Sequence, residues 1–183
     1  MPSKFKIEIR AEIKDHRGRL IKRLPWVKAN SLLKGFIQIL MAQVYGAAQT
    51  IKDTGGADRS VAAAIKNFCL AAALTETTYG IAIGTGTTAV TMTDNKLETQ
   101  VTTNIVHAAH SFAVENPDAS TWRVAIARVF TNNTGASLGI REVALYAQAT
   151  ASLYSICIDR TLYSVDVPSG VGVTLTYRIT VSL

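Results

Sequence analysis

The chain has 183 residues, enough to bury a sizeable core in one compact domain. Charged residues make up only 17% against 48% hydrophobic ones, low for a monomer covered by solvent; a surface rich in Ala, Thr and Ser suits close subunit packing. No run approaches the roughly 18 apolar residues of a membrane-spanning helix, and Met1-Pro2-Ser3-Lys4-Phe5 lacks the apolar block of a signal peptide. No membrane partner is therefore expected, and synthesis and folding are expected in a cytoplasm.

The net charge of +6 is unevenly placed. Between Lys4 and Lys34 ten basic residues face three acids, a local charge of +7. The basic residues interleave with Phe5, Ile7 and Ile9 at the two-residue period of a half-buried strand. They read as the wet face of that strand or as a contact to protein, in preference to a nucleic-acid site. Residues 15–18 form a turn and residues 19–26 a returning strand, confined to an edge or an end by Pro25. This hairpin is an assembly arm in which Phe5, Ile7, Ile9, Arg10, Arg19 and Trp26 are the candidate contacts. A two-stranded hairpin is marginal alone, so it is expected to pack on a neighbouring subunit as well as on its own chain.

A helix follows, with Asn30 or Ser31 as N-cap and an end near Gly46. Leu32, Leu33, Phe36, Ile37, Leu40, Met41 and Val44 form its single apolar stripe, with Lys34 and Gln38 opposite. That stripe is expected to cover a sheet. Residues 1–48, hairpin arm plus helix, thus precede a β-sandwich body over 49–183. Within the body, residues 49–58 read as a loop around Thr54-Gly55-Gly56. Residues 62–74 have helix propensity but are read as partly extended, and residues 97–112 as strand from their threonine and valine. Strands follow around Trp122, Val124 and Ile126 to Phe130, over 140–146, 153–159 and 171–183, with turns at 132–135 and 168–170. Short strands at this spacing, with no alternation of strand and helix, give an antiparallel sandwich or barrel.

Gly84-Thr85-Gly86, at the end of a β-type run from Gly80, is the most informative segment. Walker A chemistry requires a lysine and a hydroxyl after the last glycine; here Thr87 and Thr88 follow, and the first lysine is Lys96. The dinucleotide pattern fails as well, because Ala89 stands where the third glycine belongs. Gly84 and Gly86 are read as supplying backbone conformations closed to other residues, at a sharp exit from a strand. No other constellation indicates chemistry. His107 and His110 are three apart without cysteine or acid at ligand spacing, so no metal site is assigned. Glu115 and Asp118 are read as turn acids. Cys69 and Cys157 lie in apolar runs, as two buried thiols or as a disulfide. Glu142 is the exception among the acids. It sits in the apolar strand Ile140-Arg141-Glu142-Val143-Ala144, and if buried it needs a partner: Arg128, Arg141, Arg160 or backbone N–H groups of the 84–88 turn. No enzyme activity and no cofactor are expected.

Taken in order, these segments resemble a β-sandwich module that recurs in tailed-bacteriophage virion proteins, especially tail fibres and other appendages. In that module a Gly-Thr-Gly turn ends a strand, a Thr/Ser-x-x-Asp-x-x-Leu segment follows, and a later strand carries a Glu-x-Gly-Leu-Phe-like sequence. Gly84 and Gly86 fit the turn, Asp94 and Leu97 the segment after it, and Glu142, Leu145 and Tyr146 the later strand. Ala144 stands where glycine is common. The match spans residues 78–183, and residues 1–45 match less well. The resemblance implies a mainly β protein, an antiparallel β-sandwich with one amphipathic helix and an N-terminal β-hairpin. It further implies a non-enzymatic virion component that associates with itself and with other virion proteins, in a tail, fibre, baseplate or head-associated position. The alternative is a receptor- or glycan-binding sandwich presenting the loops at 131–138 and 148–152.

Overall fold

A computed structural model describes residues 4–29, 32–150 and 153–183. In chain order the elements are β1 (Lys4–Lys14), β2 (Leu20–Arg23), β3 (Val27–Lys28), α1 (Lys34–Tyr45), β4 (Gln49–Lys52), β5 (Asp58–Val61), β6 (Gly80–Gly84), β7 (Ile105–His107), β8 (Ser111–Asp118), β9 (Thr121–Asn132), β10 (Leu138–Ala149), β11 (Tyr154–Val167) and β12 (Gly172–Ser182). The fold is mainly β. One antiparallel sheet runs β2-β1-β12-β9-β7, with β3 also beside β1 and β8 also beside β9; a second runs β11-β10-β6, and β4-β5 form a hairpin.

The core lies between the two larger sheets. The odd-numbered residues of β1 alternate inward, so that Ile7, Ile9, Ala11 and Ile13 are buried while the even-numbered ones reach outward. Leu175 and Tyr177 of β12, Ile126 and Phe130 of β9, and Val143 and Leu145 of β10 complete it. Fully burying such a side chain is worth about 1.5–3 kcal/mol each. Two phenols link the layers. Tyr163 Oη of β11 accepts the Ala11 N–H at 2.9 Å, and Tyr177 Oη of β12 donates to Asp159 Oδ2 at 2.9 Å. The N-terminal hairpin is present as expected, and β1 is laid along the whole of β12 in an unbroken register from Lys4↔Ser182 to Lys14↔Gly172. Residues 1–48 and 49–183 therefore share one sheet.

β10 is buried on both faces, because its second face is also covered. Ala144 and Tyr146 pack there with Ala82, Leu97, Leu33 and Cys157. That second layer fixes the orientation of α1, and it differs from the expected one. At Gly35 a Cβ would lie 2.5 Å from the Cys157 carbonyl oxygen, so only glycine lets the helix come this close to β11. The helix packs on its Gly35, Ile39 and Ala42 side, and Gln38 turns inward to donate to the Thr50 carbonyl at 2.9 Å. Of the expected stripe, Leu32, Leu33 and Phe36 pack inward, whereas Ile37, Leu40, Met41 and Val44 face solvent, joined by Tyr45. Helical periodicity identifies a stripe, and close backbone approach decides which side is buried.

Other boundaries shift for local reasons. Asn30 and Ser31 lie outside the described residues; the helix starts at Lys34 with Leu33 at the N-cap and no side-chain cap. It ends at Gly46 in the left-handed conformation, as the sequence indicates. Residues 49–58 are a hairpin rather than a loop, because Ile51 and Val61 are buried and Asp53 holds the Gly55-Gly56 turn through Ala57 N–H and Arg59. Residues 62–79 are irregular, neither helix nor strand. Glu115 and Asp118 belong to β8, which is longer than the expected turn allows; its Pro117 is tolerated because β8 is an edge strand. His107 ends a strand and His110 follows it, so the two share no helix. Cys69 and Cys157 are free thiols.

Candidate functional site

Pairing of β6 with β10 sets Gly84 directly opposite Glu142. The Glu142 side chain is fully buried and lies across the space that a Cβ on either glycine would need. Such a Cβ would stand 2.5 Å from Glu142 Oε1 at Gly84 and 2.6 Å from it at Gly86. Neither glycine has a positive φ, which corrects the sequence reading: the positions are closed to other residues by the carboxylate together with the Thr99 carbonyl at Gly84 and the Glu98 side chain at Gly86, not by backbone conformation.

Glu142 is surrounded by donors. Oε1 accepts from Gly86 N–H at 3.1 Å and Thr99 N–H at 2.8 Å, and Oε2 from Glu98 N–H at 3.1 Å and Arg160 Nε at 2.8 Å. Arg160, 3% exposed, extends the cluster to Asp94 Oδ2 at 2.7 Å and to the Thr88 carbonyl at 3.1 Å. Burial opposes ionisation of Asp94, but the Thr91 hydroxyl and N–H and the Arg160 guanidinium outweigh it and hold the carboxyl below its usual value. Burial likewise disfavours the Arg160 cation, and Asp94 and Glu142 more than offset this, raising its pKa. Glu98 accepts from Thr87 and Thr88 N–H groups, each at 2.9 Å; the Thr88 side chain first, and then these N–H groups, lower its pKa. Tyr146 Oη accepts the Leu97 N–H at 2.6 Å. Residues 85–99 are thus a loop closed on a central carboxylate, with the N–H groups at both of its ends, 85–88 and 97–99, bonded internally.

Of the three arginines considered for Glu142, only Arg160 reaches it. Arg141 pairs with Asp166 at 2.6 Å nearer the surface. Arg128 builds a second cluster that the sequence reading misses. It is 2% exposed and donates to the carbonyls of Ala108 at 2.9 Å, Ile81 at 3.0 Å and Glu76. Desolvation lowers its pKa to about 10, which leaves it charged near neutrality. His110 Nε2 accepts the Ile81 N–H at 2.8 Å, so the proton sits on Nδ1, which faces the Ala72 carbonyl at 3.3 Å. His107 packs edge-on to Phe130, and neither ring nitrogen has a hydrogen-bond partner among the described residues. Burial, and secondarily the Arg128 charge, push both imidazoles down to about 4.

The arm residues separate into three roles. Ile7 and Ile9 are core. Arg10 stacks at 4.4 Å on Trp26, whose ring also meets Arg178 at 4.0 Å, while Arg19 pairs with Asp15 at 2.7 Å in the hairpin turn. Phe5 is the exposed apolar residue of the six, at the end of its strand.

Chemically, the Glu142–Arg160 cluster is a saturated clamp. Each carboxylate oxygen of Glu142 already takes two donors, and every nitrogen of the Arg160 guanidinium faces an acceptor. The adjoining depression, about 280 Å³, is lined by Thr88, Thr91, Lys96 and the outer edges of Asp94, Glu98 and Arg160. Among the described residues no group of His, Cys, Asp and Glu is arranged to hold a metal ion, and no helix is long and apolar enough to cross a membrane. No protein-family model, curated protein or solved structure matches the chain.

Proposed function

We propose that the protein is a non-enzymatic structural component of a tailed-bacteriophage virion that works by self-association. The observation that carries this reading is where the polar and apolar groups lie. Gly84, Gly86, Asp94 and Glu142, four of the seven residues on which the resemblance rests, converge with Arg160 in one internally bonded cluster that shapes a loop and offers no free catalytic group. Large apolar side chains are instead left outside, and two groups of them lie on the free side of α1 and at one end of the larger sheet. Contiguous exposed apolar patches mark interaction surfaces.

The basic N-terminal region supports contact with protein in preference to nucleic acid. Lys6, Arg10, Arg19 and Arg23 are each paired with an acid of the same hairpin. The test is peptide mass spectrometry on purified particles of the virus that encodes the chain. Recovery in stoichiometric amount is the expected result, and absence from particles together with abundance in the free lysate protein overturns the virion assignment.

A further inference from the structure

The larger sheet outruns the layer that covers it. Strand registers align Phe5, Val181 and Trp122 in one row across β1, β12 and β9, and set Val114 of β8 beside Val124 and Phe112 beside Ile126. These residues are in phase with buried Ile9, Tyr177 and Ile126, so they lie on the core-facing side of the sheet. Yet Phe5 is 58% exposed, Trp122 57% and Val114 70%, because among the described residues neither the three-stranded sheet nor a loop covers them. The charged neighbours Lys4, Lys6, Glu115 and Arg123 alternate onto the opposite face. The result is an apolar sheet end without a charged side chain among the described residues.

The stripe on α1 is the complementary shape. Ile37, Leu40, Met41 and Val44 recur at the spacing of a packing seam, and Val44 and Tyr45 are 79% and 77% exposed. Each surface presents on the order of 600 Å² of apolar side chain, against ~800 Å² per partner in a stable interface. Both are exposed in the same folded chain, so neither covers the other within one molecule. With a net charge of +6, copies repel over most of their surface. These two uncharged faces are where they can meet.

Resting on the self-association reading above, we infer that α1 of one copy docks on the sheet end of the next. A helix about 10 Å across lies naturally on three or four strands spaced about 4.8 Å apart. The helix supplies the second layer that this end of the sheet lacks. Because the two surfaces differ, the contact is head-to-tail, and repetition generates a ring or an open filament rather than a two-fold dimer.

Two full-length variants test this, Val44→Asp on the helix and Val114→Asp on the sheet end, with sedimentation velocity as readout and melting temperature as the fold check. Tyr45→Lys and Trp122→Lys replace whichever of the pair melts below the wild type. At a concentration where wild type assembles, each variant alone is expected to be monomeric. Mixed in equal amounts they are expected to form a heterodimer and nothing larger, because one intact helix face meets one intact sheet end. If wild type assembles and either variant still assembles like it, or the two monomeric variants fail to combine, the pairing is overturned while self-association stands. A wild type that never assembles overturns both.

Discussion

At the residue scale, Glu142 holds the candidate site together. Replacing it with alanine leaves three backbone N–H groups and the Arg160 guanidinium facing a buried void. Leaving these buried donors unpaired, while Arg160 keeps its ion pair with Asp94, costs about 1–3 kcal/mol. Urea unfolding of Glu142→Ala is therefore expected to show a loss of that order, while Asp118→Ala, exposed in the β8–β9 turn, changes stability little. Equal and small losses at both positions would mean that the clamp does not support the fold. The two histidines make a separate prediction. Their folded-state pKa values, about 4, lie below the unfolded value near 6.5. Above pH 6.5 their contribution is complete. As pH falls toward 4, the unfolded chain takes up protons that the folded chain refuses, and stability declines. For His107, 3% exposed, the loss is on the order of 3 kcal/mol. Unfolding free energies of wild type and His107→Leu at pH 7 and pH 4.5 measure it. The variant is expected to show the shallower decline, and identical slopes would remove His107 as a source.

At the scale of elements, one strand contains both kinds of residue. Ile9 is fully buried between the sheets, whereas Phe5, two turns of the pleat earlier on the same side, stands 58% exposed. Ile9→Ala is expected to cost about 2–5 kcal/mol and Phe5→Ala a small fraction of that in the isolated chain. Denaturant midpoints with unchanged slopes would show it, and comparable losses would mean that the sheet end is covered within the monomer. The period-two pattern of residues 5–13 is legible in the sequence because burial on one side of a strand is written directly into side-chain alternation. So are the C-terminal strands and, among the donors to Glu142, Arg160 and the Gly86 N–H, whereas the Glu98 and Thr99 N–H groups lie outside the turn that the sequence indicates. The side that α1 buries is not legible, since it depends on Gly35 meeting a carbonyl of Cys157, a residue far along the chain. The β4–β5 hairpin is hidden for a similar reason: Ile51 and Val61 are too few to mark strands, and their burial comes from tertiary packing. Arg128 gives no signal at all, because its partners are backbone carbonyls that any sequence provides.

At the scale of the whole molecule, the polar interior and the apolar exterior are two consequences of one arrangement. Buried charges are held by ion pairs and backbone groups inside the sandwich, which leaves the sheet end and the helix stripe as the surfaces free to associate. An interface of this kind is driven by removal of apolar surface from water, so it persists as salt is raised, whereas contacts made by the basic hairpin weaken. Sedimentation velocity of the full-length protein over a wide concentration range, at low and high salt, tests this most directly. The expected result is a set of species at multiples of the 19.7 kDa chain, growing with concentration and undiminished by salt. A single 19.7 kDa species at every concentration, or assemblies that dissolve as salt rises, would contradict it.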